Sequence, residues 1–237
     1  TRYPLVTGVQ TCALPIWTVA ENLGRPYELV VVDDASTDRT AELASAAGAR
    51  VVRVEKRQIA AVRNAGARAT VAPYLVFVDA DTWVPETVLR HALLELERGA
   101  VGGGARVGFD GRGHPLGEAF IELFKAAWYS QELAAGCFVF VRRDAFEAIG
   151  GFDEQWFAGE EYWLSRALKE RGRFAFLPEE VTTSARKQRM GAGLATMVTL
   201  FGLTVRFFVG DRRAVRSREK LGFWYDGTRE GKPIDLG

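Results

Sequence analysis

The chain is short of the residues that staple small folds or cage soft metals. Cys12 and Cys137 are its only cysteines, too few for a disulfide framework, and no paired Cys/His spacing suggests zinc. A reducing, cytoplasmic setting is the expectation. No basic leader precedes an apolar core and a small-residue cleavage site, so no secretory signal is expected either. Charge of one sign is also lacking. Thirty-one basic residues against thirty acidic ones leave a net charge of +1, which gives no global pull toward nucleic acid or anionic lipid. Internal repeats and low-complexity tracts are absent. What remains is an ordinary soluble composition, 48% hydrophobic over 237 residues, enough for one well-cored domain and too short for two large ones.

Against that background one stretch is hard to explain by packing alone. Leu75 to Val78 is a continuous apolar run of the kind that forms a strand covered on both faces. Asp79 and Asp81 stand at its carboxyl end. Residues two apart in an extended chain face the same side, so this pair suits a hard divalent cation such as Mg2+ or Mn2+. The competing reading is that they cap the next turn. A second copy of the pattern lies upstream, where Glu28 to Val32 runs into Asp33, Asp34 and a Ser/Thr/Asp-rich turn. Ligands of open α/β sheets bind outside the carboxyl ends of the strands, so two acidic clusters at two such ends point to one cleft.

The remaining pattern alternates strand and helix. Trp17 to Leu23 reads as the end of a helix, Glu28 to Val32 as a strand, and the stretch from Ser36 or Asp38 to Ala47 as a capped helix stopped by Gly48. Strand Arg50 to Val54, helix Gln58 to Ala69, strand Tyr74 to Val78, and a helix from Pro85 to Gly99 follow. Val101 to Phe109 holds four glycines with the wrong spacing for a dinucleotide fingerprint and reads as a strand. Leu116 to Ala135 has helical periodicity, Gly136 to Val141 reads as a strand, and Asp144 to Ile149 as a short helix before the Gly150-Gly151 turn. Helix Glu160 to Arg171 and strand Arg173 to Leu177 close the series. In the half up to Gly99 such alternation predicts βαβ units with right-handed crossovers and a parallel sheet.

Four segments occur in a telling order: Val-Val-Asp33-Asp34-Ala-Ser36-Thr37-Asp38, Arg63-Asn64-Ala-Gly66, Asp79-Ala-Asp81, and Gly150-Gly-Phe-Asp-Glu154 followed by Gly159-Glu160-Glu161. Together they resemble a family 2 glycosyltransferase of GT-A fold, a Rossmann-like, mostly parallel sheet flanked by helices. The resemblance spans about Trp17 to Arg186. It implies an inverting, metal-dependent transfer of a sugar from a UDP- or GDP-type nucleotide sugar to a hydroxyl acceptor. It implies that Asp33 or Asp34 reads the base, that Arg63 contacts the diphosphate or base, and that Asn64 supports the loop. Asp79 and Asp81 would hold Mn2+ or Mg2+ against the diphosphate. Glu160-Glu161 stands where the family places its catalytic acids, and Glu161 aligns with the usual base, one methylene longer than the common Asp. An acidic first turn favoured by the helix dipole is the plainer reading of that pair. Arg186, in a hydroxyl-rich and basic segment from Thr182, would close over the diphosphate.

The front departs from the family pattern. Members open with a strand ending in a Pro-x-Tyr-Asn-like segment, and none stands before Trp17, so the first strand is expected to be missing. Residues up to about Ile16 resemble the conceptual translation of a sequencing-adapter oligonucleotide, which implies that 1–16 are not native. The expected domain is then 17–189, with 190–237 as a tail. In that tail Met190 to Val209 is apolar and Asp211 to Lys220 is basic. The combination suits a helix packed on the domain or on a partner, a second copy included, or an interfacial helix touching anionic lipid at the inner membrane face. The acceptor side, roughly Val107 to Trp128, leaves a glycan, a lipid carrier or a small molecule open. Two rival readings stand beside the transferase: a nucleotidyltransferase, and a degenerate module that binds a nucleotide or partner without turnover.

Overall fold

The computed structural model describes residues 3–7, 19–111 and 115–184. Arg186 and the tail 190–237 lie outside the described residues. In chain order the elements are β1 (Tyr3–Thr7), a short helix α1 described over 19–22, β2 (Tyr27–Asp34), α2 (Thr40–Ala46), β3 (Arg50–Val54), α3 (Ile59–Arg68), β4 (Tyr74–Val78), β5 (Thr82–Trp83), α4 (Glu86–Glu97), β6 (Gly102–Phe109), α5 (Pro115–Ser130), β7 (Phe138–Arg142), α6 (Arg143–Ala148), α7 (Glu160–Lys169) and β8 (Phe174–Thr183).

The strands form one sheet in the order β3-β2-β1-β4-β7-β6-β8-β5. The apolar strands are buried on both faces, as their continuous runs require. Val31, Val76, Val78, Phe138 and Phe140 pack with α1, α2 and α4 on one side. Val30, Val32, Leu75, Phe77, Val139 and Val141 pack with α3, α6 and α7 on the other. Phe77, Phe138, Phe140 and Phe152 are fully buried, each contributing about 1.5–3 kcal/mol relative to an exposed ring.

Three expectations about the sheet meet the structure. First, the missing first strand is supplied by Tyr3–Thr7, which lies parallel between β2 and β4 with Leu5 opposite both Leu29 and Val76. Without it the facing edges of β2 and β4 would carry unpaired backbone groups in the middle of the sheet. Second, the parallel arrangement expected of the first half is present across β3, β2, β1 and β4, and antiparallel pairing enters only with the later strands, where β7 runs against both β4 and β6. The chain re-enters the sheet after α5 at the edge where β6 leaves it, so no crossover returns it to the opposite end. Third, β8 continues past Pro178 to Thr183, absorbing the irregularity through a register shift opposite Ala105 and Arg106. Thr182 and Thr183 are therefore strand residues, and Trp83 and Thr82 pair with them as a short edge strand.

This topology sets where a ligand can sit. From β1 the chain winds outward through β2 and β3, then returns to the other side of β1 as β4. The crevice beyond the carboxyl ends of β1 and β4 is thus the switch point of the sheet, the usual ligand position in such folds. Because β7 is antiparallel, its leading residues Gly136 and Cys137 reach the same edge, and the Asp79 amide donates to the Cys137 carbonyl at 3.1 Å. Among the described residues no helix is long and apolar enough to cross a membrane.

Candidate active site

Asp79 leaves the end of β4 with its side chain 44% exposed. Its Oδ1 accepts a hydrogen bond from Arg63 Nη2 at 2.8 Å. Arg63 sits in the middle of α3, and helical side chains lean toward the helix N-terminus, which carries its guanidinium back to the carboxyl edge of the sheet. There Nη1 donates to Glu160 Oε1 at 2.5 Å and Nη2 also donates to the Gly136 carbonyl at 2.6 Å. The guanidinium carbon lies 5.3 Å from the centroid of the Phe152 ring. Burial opposes the charge on Arg63, but the carboxylates of Asp79 and Glu160 outweigh it and hold the group firmly protonated.

Asp81 is fixed from the other side of the crevice. The Thr183 hydroxyl lies 3.5 Å from its Oδ1, at the limit of a hydrogen bond, and the Ser184 amide donates to its carbonyl at 3.1 Å. The Thr82 hydroxyl reaches Thr183 at 3.0 Å. Cys137 reports how these groups converge. Burial pushes its thiol well up, Asp79, Asp81 and Glu161 push the same way, and Arg63 opposes them. One small side chain thus lies in the field of all four.

The two glutamates of α7 separate into different roles. Glu160 is buried and held by Arg63. Glu161 is half-buried, and its carboxyl is pushed up to about 8, first by burial and next by the charge of Glu160, with Arg63 opposing. A carboxyl in that range can take a proton near neutral pH. Gly136 makes the approach possible. A Cβ there would stand 3.2 Å from Arg63 Nη2 and 3.5 Å from the carboxyl carbon of Glu161.

Asn64, expected to support the loop, does so at two points. Its Nδ2 donates to the Phe152 carbonyl at 2.8 Å and its Oδ1 accepts the Phe152 amide at 2.9 Å. The glycine turn before Phe152 is shaped for this contact, since Gly151 has φ +79° and a Cβ on it would lie 2.7 Å from Asn64 Oδ1. Gln58 adds a bond from Nε2 to the Glu154 carbonyl.

Asp33 and Asp34 occupy the same edge farther along. Val31 and Val78 are both opposite Thr7 of β1, so the two acidic clusters are two strand spacings apart, about 10 Å. Asp33 is buried, its Oδ1 accepts the Ser36 amide at 3.0 Å, and its Oδ2 lies 3.9 Å from Arg53 Nε. Asp34 Oδ1 takes the amides of Lys56 at 2.6 Å and Arg57 at 3.0 Å, which ties the β3–α3 loop to the end of β2. Asp38 accepts the Thr40 amide at 3.0 Å, and the Thr40 hydrogen bonds draw its carboxyl below the usual range. The helix N-cap itself is Arg39, with no side-chain cap bond, so Asp38 shapes the turn one residue ahead of the cap.

Among the described residues no group of three His, Cys, Asp or Glu side chains could hold a metal by itself. Sequence reasoning missed Gly136 and Cys137 as site residues, and neither carries a local signal, whereas Phe152 lies in the Gly150-Gly-Phe-Asp-Glu154 motif and Thr183 in the hydroxyl-rich segment from Thr182.

A sequence model of the family described as Glycosyl transferase family 2 matches residues 15–150. Solved structures share the GT-A fold. Staphylococcus aureus TarS 1-349, in complex with UDP-GlcNAc, superposes with a TM-score of 0.58 at 18% identity, covering 78% of this chain and 58% of that one. The mannosyltransferase PcManGT from Pyrobaculum calidifontis, in complex with GDP-Man and Mn2+, gives 0.57 at 18% identity over 80% and 61% of the two chains. Glucosyl-3-phosphoglycerate synthase from Mycobacterium tuberculosis, with Mn2+, UDP and glucosyl-3-phosphoglycerate, gives 0.52 at 19% identity over 78% and 70%. The chain thus spans less than two thirds of the first two. No curated protein sequence matches it significantly.

Proposed function

The chain belongs to glycosyl transferase family 2, and from that premise we propose that it moves a sugar from a UDP- or GDP-type nucleotide sugar to an acceptor hydroxyl, with inversion and with the help of a divalent cation. The observation that carries this reading is geometric: at the switch point of the sheet Arg63 joins Asp79, from the end of β4, to Glu160 on the first turn of α7, next to Glu161. Solved relatives bearing UDP-GlcNAc, or GDP-Man with Mn2+, support the donor class.

Each group then has a task. Asp34, two strands along the edge from Asp79, stands at the base end, with Asp33 behind it. Asp79 and Asp81 supply hard carboxylate oxygens that fit Mn2+ or Mg2+. Two such residues make a partial site, which the oxygens of a diphosphate would complete. The cation would supply charge to a departing diphosphate. Glu161 removes the proton from the acceptor hydroxyl. The hydroxyl oxygen forms its bond to the anomeric carbon from the face opposite the diphosphate, and the electron pair of the breaking C–O bond leaves with the diphosphate. Glu160 is excluded from that task because Arg63 holds it in the interior.

A panel of UDP- and GDP-sugars, assayed with Mn2+ or Mg2+ for release of nucleoside diphosphate, tests the proposal. Turnover should fall about 10²–10⁴-fold in Glu161→Gln while binding of UDP is retained, the range for loss of a general base. Pyrophosphate release in place of UDP or GDP would identify a nucleotidyltransferase. Calorimetric binding of UDP with no turnover from any donor would identify a binding module.

A further inference from the structure

The resemblance gives Arg63 the task of gripping the donor, yet its guanidinium is engaged inside the protein. Only 8% of the side chain is exposed. Of the five N–H donors an arginine has, three are committed, to Glu160, Asp79 and the Gly136 carbonyl. The face of the group covers the Phe152 ring. Those partners come from four separate segments: the end of β4, the approach to β7, the first turn of α7 and the glycine turn ahead of it.

We infer that Arg63 is a positioning residue rather than a donor ligand, and that it sets the spacing between the donor-side carboxylate Asp79 and the proton acceptor Glu161. The inference rests on the reading of Glu161 as the base. Arg63 acts through Glu160, whose backbone is continuous with that of Glu161, so clamping one fixes the other. Gly136 closes the arrangement. A Cβ at this position would touch the fork at 3.2 Å and 3.5 Å and the carboxyl carbon of Glu161 at 3.5 Å. A methyl group there would fit in ordinary contact with Glu161 but would press on Nη2, which must give by a few tenths of an ångström. Displacing reacting groups by about 1 Å costs on the order of 10²-fold in rate, so a strut of this kind governs kcat.

Two variants separate positioning from donor binding. Arg63→Lys keeps the charge and loses the planar fork that reaches two carboxylates at once. Gly136→Ala keeps every charge and crowds the fork. Both should lower kcat by about 10–10²-fold, while calorimetric Kd for UDP with Mn2+ stays within about threefold of wild type. In a Glu161→Gln background Arg63→Lys should cost less than about threefold more, because residues acting through one another are not additive. A tenfold rise in UDP Kd with kcat near wild type would make Arg63 a donor ligand and overturn the inference. So would losses from Arg63→Lys and Glu161→Gln that multiply. Should Arg63→Lys fail to fold, Gly136→Ala carries the same test. Wild-type turnover in Glu161→Gln would remove the base assignment itself. The split between kcat and Kd in the two variants would then decide whether Arg63 binds donor.

Discussion

Arg63 and Glu160 meet at 2.5 Å with less than a tenth of either side chain exposed. They come from different helices, and their closeness fixes the first turn of α7 against α3. An ion pair this far from water holds only if both charges stay matched, because an unpaired buried charge is far costlier than a missing surface one. Asp79 and the Gly136 carbonyl complete the match on the arginine side.

Breaking that pair should therefore cost more than any exposed pair on the surface. Glu160→Ala is expected to lower unfolding free energy by about 3–5 kcal/mol, the range for removing one partner of a buried pair. Glu160→Gln keeps an acceptor and should cost less. Arg39→Ala, which removes a pair with Glu42 that is more than half exposed on both sides, should leave stability near wild type. Urea denaturation of the three variants checks the ranking, and a Glu160→Ala loss no larger than that of Arg39→Ala would contradict it.

Stability and activity should respond to pH in opposite directions through Glu161. Its carboxyl is pushed up to about 8 in the folded protein, against about 4.3 in an unfolded chain. Between those values the native state binds the extra proton, so stability falls as pH rises. The contribution is complete below the unfolded value and is lost as pH climbs through about 8. Proton removal from the acceptor needs the ionised form, so kcat/KM should rise over the same interval, with a midpoint near 8 for the free enzyme. Thermal melts and initial rates across this range give both curves. A flat rate profile, or a melting temperature that climbs from pH 6 to pH 8, would set Glu161 aside.

Asn64 should matter through the loop it clasps. Asn64→Leu leaves the Phe152 amide and carbonyl without the partners they have now. Each unsatisfied buried polar group costs about 1–3 kcal/mol. Hydrogen exchange should show faster exchange at Phe152 and its neighbours, with the amides of β2 unchanged. Protection at Phe152 equal to wild type would mean that the clasp is dispensable.

Much of the frame was legible because the chemistry is local. The strands β2 and β4 contain apolar runs, and carboxylates directly after such runs, at Asp33 and Asp79, are poorly explained by packing. The glycine turn announced itself too, since Gly150 and Gly151 both adopt positive φ. The direction of β7 has no local signature, because an apolar strand reads the same in either sense. β1 offers only five residues with a proline among them, too short for a period to show. The partners of Arg63 lie 16, 73 and 97 residues away in the chain. An arginine on a helix looks solvated until the sheet brings those segments together.

Cation dependence tests the remaining pair of acids. Asp79 has two relations, one to Arg63 and one to the proposed cation, whereas Asp81 faces Thr183. Asp81→Asn should therefore raise the Mn2+ concentration for half-maximal rate at least about tenfold, in line with removal of a ligand or its supporting contact, and leave folding stability near wild type. Asp79→Asn should raise the Mn2+ requirement as much and also destabilise the fold, because it removes one of the charges matched to Arg63. Chelation with EDTA should abolish turnover in the wild type, and Mn2+ should restore it. Full activity in EDTA, or a Mn2+ requirement unchanged in both variants, would show that these aspartates serve the sheet edge alone.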